Sequence, residues 1–470
     1  MSNKAKVGVL ALGRNTFDVP YAQEMLQQAW HSLALMDLEL VGEPELQFDA
    51  ESALKALPAL KQADLDLLLI LQVTFTDASL TTEVIRDFPV PTAMWSFPEA
   101  RTGGRLRLNS FCGVNLACHA LSREGIKVQT IHGAPDDASA INELQQLAQA
   151  AAIVRRFKQT KVMVIGEHPL GFDACNYNQQ QLEQHFGVQV ARQPVLSFID
   201  EVKALPDSVA DAPYARRAKD FPNLGEMDQD ATRKTLKVYS ALQAKALREG
   251  YSGIAVRCWP DFFTDYGCAA CGALALMNED KVPCGCEADM FGVLSSLMAQ
   301  WASGNAAFNT DLVDIDPQNN SVVFWHCGQA PIEMADRDGP VQATIHSNRK
   351  LPLLSEFALK PGRITLCRIT QGEGKLRLML AGGEMIKAPL AFSGTAGTAR
   401  LDVDADVYRK RLIDAGMEHH TSLVYGEHRP LLRKVAQLLN LEVVELSEYA
   451  LFFSIGISPF SKKRRIGQLV

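Results

Sequence analysis

Short, almost wholly apolar runs alternate with longer amphipathic segments in the first half of the chain, and this alternation constrains the fold most strongly. Val7–Leu12, Leu67–Val73 and 161–166 are such runs, and helical periodicity extends from Tyr21 to Met36 after the first of them. Strands that are apolar on both faces are typical of parallel sheets covered by helices on each side. The pattern therefore predicts doubly wound α/β domains, with residues 138–157 as a long linking helix.

The pattern changes after residue 340. Ile364–Ile369 and Lys375–Leu380 flank a Gly-containing segment, which is typical of an antiparallel hairpin. Helical patterns follow near Val407–Ala415 and Pro430–Leu439. We therefore predict an N-terminal α/β domain over residues 1–155, a second α/β domain over 156–340 and a smaller β-rich C-terminal domain over 341–470. Three domains suit this length at about 150 residues each.

Composition and charge exclude several classes of protein. The formal net charge of −7 argues against the basic face that nucleic-acid binding needs. No apolar run reaches about 18 residues, the length of a membrane span. The N-terminal residues lack the longer apolar stretch and cleavage site of a signal peptide. We therefore expect a cytoplasmic protein whose ten cysteines are thiols or metal ligands rather than disulfides. We expect the basic run 462–465 to be a solvated tail.

Polar side chains that suit a metal or an acid–base reaction cluster at predicted strand ends. Arg257 and Trp259 follow one strand, and Glu287 stands near the start of a helix. Asp311 and His326 end two further strands. The carboxyl ends of strands are where doubly wound sheets bind ligands. Oxygen-rich ligand sets with one or two imidazoles suit Mn²⁺ or Mg²⁺. Two carboxylates beside such a metal could exchange protons with a substrate. A single acid at such a position is, however, more commonly a helix cap or a loop residue.

Other candidates carry less weight. Trp95 and Arg14 occupy strand ends of the first domain. From the sequence, each could contact a ligand or could equally have only a core or surface role. The polar stretch 206–229 could carry substrate specificity, and its Arg216 and Arg217 would suit an anionic substituent, although surface arginines usually have no such role. No GxGxxG or GxxxxGK[ST] spacing occurs, so nucleotide binding has no support from a motif.

Taken together and in order, these segments resemble the L-fucose isomerase family and, more distantly, the L-arabinose isomerases. The motifs that carry the resemblance are Arg257–Phe262, Glu287–Gly292, Phe308–Asp311, His326–Gly328 and His420–Gly426. By motif the resemblance spans residues 160–446, whereas the first 155 residues match only in their general α/β pattern.

The resemblance implies two α/β domains and a β-rich C-terminal domain, and it implies a metal site. Glu287, Asp311 and His420 would bind Mn²⁺, with Mg²⁺ or Co²⁺ as alternatives, and the two acids would also transfer protons. Arg257 and Trp259 would contact the substrate.

Two further expectations follow from the resemblance. Fucose isomerases carry asparagine where this chain has His326, while arabinose isomerases use a histidine ligand nearby, so His326 is expected to be a fourth metal ligand or a substrate contact. The resemblance also implies a homo-oligomer, a trimer or hexamer, in which a neighbouring subunit presents Trp95 or Arg14 to each site.

The sequence therefore predicts a Mn²⁺-dependent aldose–ketose isomerase that acts on a sugar or sugar derivative through a cis-enediol. A non-catalytic sugar-binding or regulatory protein and a different metal-dependent sugar enzyme, such as an epimerase, are the alternatives. The particular sugar is not assigned by the motifs.

Overall fold

The apolar runs of the N-terminal third form a parallel sheet. The computed structural model describes residues 4–86, 88–372 and 374–448. The strands of this sheet are β1 (Ala5–Leu12), β2 (Leu38–Val41), β3 (Leu46–Gln47), β4 (Leu67–Gln72), β5 (Thr92–Ser96) and β6 (Gln129–His132). Their order is β2-β1-β4-β5-β6, β3 pairs with β1, and every pairing is parallel.

Helices cover both faces of this first sheet. They are α1 (Val19–Ala34), α2 (Ala50–Gln62), α3 (Ala78–Arg86), α4 (Ser110–Arg123) and α5 (Ala138–Lys158). Alternate residues of β1 enter different cores, since Val7 and Val9 pack on one side and Leu10 and Leu12 on the other. Burial on both sides explains why the strand is apolar at successive positions.

The second parallel sheet has the order β10-β9-β7-β8. Its strands are β7 (Lys161–Ile165), β8 (Gln189–Gln193), β9 (Gly253–Val256) and β10 (Cys284–Gly285). The helices of this region are α6 (Gln179–Phe186), α7 (Val195–Ala204), α8 (Asp211–Arg217), α9 (Gln229–Glu249), α10 (Cys271–Glu279) and α11 (Met290–Ser303). Helix α11 ends at Gly304, which has a φ of +73° and so adopts the left-handed conformation that stops helices.

The third sheet contains a closed ring of strands. Its described strands are β11 (Phe308–Asp316), β12 (Ser321–His326), β13 (Gln342–Thr344), β14 (Leu354–Ala358), β15 (Gly362–Gly372), β16 (Lys375–Met385), β17 (Thr395–Leu401), β18 (His420–Tyr425) and β19 (Glu442–Glu445). Six strands follow one another in the order β17-β12-β11-β18-β15-β16, and each pairs with the next. Strand β16 also pairs with β17, which closes the ring. We call this ring the barrel; an apolar core that includes Phe308, Phe324 and Leu366 fills it.

Two helices connect these layers. Helix α5 contributes Leu144 and Leu147 to the core of the first sheet and Phe157 to the core beside the second. Helix α11 packs between the second sheet and the barrel, where Leu294 shares a core with Ile369 of β15. Helices α12 (Ala405–Asp414) and α13 (Arg429–Leu438) complete the C-terminal part. Within the described part of the chain, no helix is both long and apolar enough to cross a bilayer.

The predicted fold class is confirmed: two parallel-sheet α/β units precede a β-rich unit. The long linking helix and the hairpin are present as α5 and as the β15–β16 pair. One detail differs, because β11 and β12, which we assigned to the second α/β domain, pair with β18 and β17 of the third sheet. The domain boundaries themselves stay a prediction, and the basic run 462–465 lies outside the described residues.

Candidate active site

The carboxyl ends of β9 and β10 bring Trp259 and Glu287 together. These strands are parallel neighbours, and Trp259 Nε1 donates a hydrogen bond to Glu287 Oε1 at 3.0 Å. Glu287 and Ala288 both adopt left-handed backbone conformations, with φ of 59° and 58°. This conformation costs about 1–3 kcal/mol for each non-glycine residue and is concentrated at functional sites. The strained turn thus places Glu287 between β10 and α11.

The barrel supplies the other polar groups of the site. Asp311 on β11 and His420 on β18 are direct partners in the strand register. His420 Nε2 lies 3.2 Å from Asp311 Oδ1 and 3.6 Å from Glu287 Oε2. His326, the last residue of β12, can share a cation with Asp311 and His420, because one ligand atom from each lies within 4.8 Å of the others. The four predicted metal-site residues therefore lie together.

Asp289 holds His420 in place from the side opposite Glu287. Its Oδ2 faces His420 Nδ1 at 2.9 Å and accepts a hydrogen bond from Arg368 Nη1 at 2.5 Å. Its Oδ1 caps α11 by accepting from the Gly292 N–H at 2.9 Å. Asp289 and Arg368 are fully buried, and such a carboxylate behind an imidazole fixes the ring orientation of a metal-binding histidine.

The charges of this cluster depend on one another. Burial alone would raise the pKa of Asp289, but Arg368 and His420 hold that pKa well below its usual range. Burial also favours the protonated form of Asp311, yet His326 and His420 lower its pKa. Burial opposes a charge on His420, whereas the nearby carboxylates of Asp289 and Asp311 raise its pKa well above the ordinary value. Both aspartates are therefore ionised at neutral pH.

Two buried carboxylate oxygens of the site accept no hydrogen bond of good geometry from the described residues. They are Glu287 Oε2 and Asp311 Oδ1, and both flank His420 Nε2. An unsatisfied buried acceptor is costly, and more so when it carries charge. A divalent cation would satisfy both oxygens, so the residues present fit an oxygen-rich site of the Mn²⁺ or Mg²⁺ type.

Both ring nitrogens of His326 have polar neighbours. The backbone N–H of Cys327 donates to His326 Nδ1 at 2.8 Å, and Gln329 Nε2 lies 3.0 Å from each ring nitrogen. Because a backbone N–H is always a donor, Nδ1 acts as the acceptor in this contact.

The remaining predicted contacts are distributed differently. Arg257 donates from Nε to Asp261 Oδ2 at 2.8 Å, close in sequence to Trp259. Trp95 is fully buried and donates to the Gly133 carbonyl at 3.0 Å, which speaks against direct contact with a sugar. Arg14 pairs with Asp77 on the first domain, so the structure does not bring it to Glu287 within this chain.

Arg216 and Arg217 are not available for an anionic substituent. Arg217 pairs with Glu279 at 2.7 Å, and Arg216 pairs with both Glu279 and Asp280. Their acidic partners lie at the end of α10, so these arginines tie the polar stretch 206–229 to that helix.

The expectation that no cysteine forms a disulfide is wrong for Cys258 and Cys286. These residues precede Trp259 and Glu287, and the pairing of β9 with β10 brings their Cα atoms to 5.8 Å, where they form a disulfide. The other eight cysteines are free. Among them, buried Cys175 can approach Glu287 and His420 closely enough to share a cation.

Sequence reasoning missed Asp289 and Arg368 as parts of the site. Asp289 lies inside the quoted motif but reads as an ordinary helix cap. Arg368 interrupts the apolar run of β15, and a charge in such a run was the available signal. Their partnership spans 79 residues and becomes visible only in the folded chain.

Comparisons with known proteins identify the relatives of this chain. Residues 8–158 match the family model of the fucose/sulfoquinovose isomerase N-terminal domain, and residues 354–447 match that of the L-fucose isomerase C-terminal domain. Sulfoquinovose isomerase of Priestia aryabhattai is 30% identical over 432 residues, which cover 92% of this chain and 97% of that protein. The enzyme of the same name from Alkalicoccus urumqiensis is 30% identical over 443 residues, covering 93% and 98%.

Likeness to solved structures is weaker. An ABC transporter solute-binding protein from Agrobacterium vitis, bound with α-D-tagatopyranose, covers 64% of this chain and 90% of its own at 14% identity. Its TM-score is 0.17, which supports no conclusion about this fold or its function.

Proposed function

The chain belongs to the L-fucose isomerase family and is an aldose–ketose isomerase, and we propose that it converts sulfoquinovose into the corresponding ketose with the help of a divalent cation. The substrate follows from relatives named sulfoquinovose isomerase that align along nearly the whole chain. That alignment argues against the non-catalytic alternative.

One observation carries the metal dependence. Two buried carboxylate oxygens, on Glu287 and Asp311, flank the buried imidazole of His420, and neither accepts a hydrogen bond of good geometry from any residue that the structure describes. These three residues would hold the cation, Mn²⁺ by preference. A bound cation supplies Lewis-acid polarisation of the sugar carbonyl and orients the neighbouring hydroxyl.

The chain's own residues would perform the proton transfers. Isomerisation moves a proton between C1 and C2 through an enediol, and carboxylates are suitable bases for a C–H beside a carbonyl. Trp259 donates to Oε1 of Glu287 at 3.0 Å and would hold this carboxylate in place as it accepts a proton. Asp311 is the second acid and would move the proton between the two hydroxyl oxygens. Asp289 keeps the His420 ring in one orientation throughout.

His326 would act on the sugar or complete the ligand set. It is buried, and its Nδ1 already accepts the Cys327 N–H, so we expect Nε2, which lies 3.0 Å from Gln329 Nε2, to face either partner. Replacing His326 with asparagine should raise KM if it contacts the sugar, and should weaken Mn²⁺ affinity if it is a ligand.

The central test uses Glu287→Gln with sulfoquinovose and Mn²⁺ in deuterated water. Wild-type protein should form the ketose and introduce one deuteron, because a carbon-bound proton exchanges with solvent during enediol chemistry. Glu287→Gln should fold normally but show neither product nor deuterium by mass spectrometry. A chelator should abolish wild-type turnover, and Mn²⁺ should restore it.

Glu384→Gln is the matched control, because Glu384 is exposed on β16. It should behave like wild type. Full turnover by Glu287→Gln with added Mn²⁺ would show that the assignment of Glu287 is wrong, and activity that persists in chelator would contradict the metal.

We also propose that the active form is a homo-oligomer, with a neighbouring subunit beside each site. Leu170 supports this proposal, because it is fully exposed two residues from Phe172, whose ring packs against Trp259 and His419. Sedimentation velocity should show a species larger than one chain, and Leu170→Asp should shift it toward the monomer with loss of activity. A stable, active wild-type monomer would contradict the proposal.

A further inference from the structure

We propose that Arg349 forms an anion subsite that binds the sulfonate end of the sugar. Arg349 lies in the turn His346–Lys350 between β13 and β14, and none of the motifs that led to the metal site includes this turn. The inference rests on the proposed function, since it concerns the far end of the same substrate.

Position is the first argument for this subsite. The Arg349 guanidinium carbon lies 4.6 Å from the centre of the Trp259 ring and 5.3 Å from that of Phe263. The indole N–H of the same Trp259 ring donates to Glu287 Oε1 at 3.0 Å. The Trp259 ring therefore lies between the guanidinium and Glu287, the acid proposed to act at C1 and C2. The separation of these two groups is comparable to that between C2 and the C6 substituent of an open-chain hexose.

Charge is the second argument. Throughout the described residues, no acidic side chain forms an ion pair with Arg349. By contrast, Arg257 is paired with Asp261 at 2.8 Å, and Arg217 with Glu279 at 2.7 Å. The aromatic faces stabilise the Arg349 cation without neutralising it, so its charge remains available to a bound anion. Lys350 beside it is exposed and adds a second positive charge.

The third argument is a surplus of hydrogen-bond donors around His346, which is buried. The backbone N–H groups of Asn348 and Arg349 both point at His346 Nδ1 at 3.3 Å. A neutral imidazole has one accepting nitrogen, so the ring proton lies on Nε2. That nitrogen is 3.3 Å from Arg349 Nη1, which is also a donor. Two donors that face each other call for an acceptor beside them, and a sulfonate offers three oxygens.

The turn is ordered before any ligand binds. The Lys350 N–H donates to the His346 carbonyl at 2.8 Å, and the His346 N–H donates to the Leu351 carbonyl at 2.9 Å. A turn closed by its own backbone loses little further entropy when it binds an anion. It can therefore distinguish a sulfonated sugar from a neutral one.

The test compares sulfoquinovose with D-glucose, which has a hydroxyl in place of the sulfonate. Arg349→Gln should raise KM for sulfoquinovose about tenfold to a hundredfold, the usual loss for a hydrogen bond to a charged group. Its kcat should change little, and its activity on D-glucose, where measurable, should be unaffected. Arg349→Lys should recover part of the loss. Arg337→Gln, an exposed arginine paired with Asp220, is the matched control and should match wild type.

Methanesulfonate provides a second readout, whose wild-type arm does not depend on folding of the variant. It should compete with sulfoquinovose in wild type and lose this effect in Arg349→Gln. Three results would overturn the inference while leaving the proposed function intact. They are an unchanged KM for sulfoquinovose in Arg349→Gln, an equal loss of activity on both sugars, and no competition by methanesulfonate in wild type. A wild-type protein that fails to isomerise sulfoquinovose would instead overturn the proposed function and the inference that rests on it.

Discussion

At the scale of single residues, the site depends on groups that never touch the sugar. Asp289 accepts from Arg368 and from the Gly292 N–H and faces His420, so one carboxylate caps a helix, neutralises a buried cation and orients an imidazole. Gly292 is required beside it, because a Cβ there would lie 2.7 Å from Asn309 Nδ2 and would also collide with the Asp289 carboxylate.

Asp289→Asn should weaken Mn²⁺ binding about tenfold to a hundredfold, the usual cost of losing a carboxylate behind a metal-binding histidine. Asparagine can still cap α11, so secondary structure should persist. The measurement is a calorimetric titration with Mn²⁺, and Asp314→Asn, on the exposed part of β11, is the control. An unchanged Mn²⁺ affinity would remove Asp289 from the site.

The Cys258–Cys286 pair makes a separate prediction at this scale. Denatured, unreduced protein should react with eight equivalents of a thiol reagent per chain, because eight cysteines are free. After reduction the number should rise to ten, the full cysteine count. Ten reactive thiols before reduction would show that the two residues are reduced in solution.

At the scale of elements, an ion cluster ties the strand ends of the barrel to α13. Arg363 of β15 and Arg429 of α13 both pair with Glu427 and with Asp402. Burial alone would raise the pKa of Glu427, but the two arginines lower it to about 2. The cluster therefore holds β15, the ends of β17 and β18, and α13 in register.

Glu427→Gln should make unfolding less sensitive to acid. The folded pKa of Glu427 lies below the unfolded value of about 4.3, so its stabilising contribution is complete above that value and is lost as pH falls toward 2. The variant should be less stable than wild type near pH 6, and the difference should shrink below about pH 4. Urea unfolding at both pH values measures this, with the exposed Glu442→Gln as control. A difference that stayed constant with pH would contradict the assignment.

At the scale of the whole molecule, the site lies between two bodies. Trp259 and Glu287 come from the second parallel sheet, whereas Asp311, His326 and His420 come from the barrel. Helix α11 fills the space between them, and Leu294 on it is fully buried. The relative position of these candidate site residues thus depends on apolar packing behind them.

Leu294→Ala should reduce the free energy of unfolding by about 2–5 kcal/mol, because it leaves a cavity between the second sheet and the barrel. Leu196→Ala on α7 removes an exposed leucine and should have a much smaller effect. Denaturant unfolding followed by circular dichroism compares the two variants. Equal effects would mean that α11 does not stabilise the junction as its burial indicates.

The sequence by itself determined the elements and most of the reactive groups. Two-sided burial requires apolar strands, so the parallel sheets could be predicted. Glu287, Asp311 and His326 were predicted from the rule that strand ends carry ligands in such sheets, although the structure places Asp311 within β11, and both Asp311 and His326 in the barrel. His420 came from the motif resemblance. The isomerase class followed from the order of these motifs, which the family matches confirm.

Only the tertiary structure decided which of these residues meet. Three features depend on contacts between residues far apart in the chain. They are the closure of the barrel through β16 and β17, the pairing of Asp289 with Arg368, and the burial of Trp95. Periodicity reports which face of an element is apolar, but it carries no information on the partner of that face. The same reason hid the Cys258–Cys286 bond and the lack of an acidic partner for Arg349 among the described residues, since only folding supplies the neighbours that neutralise a charge.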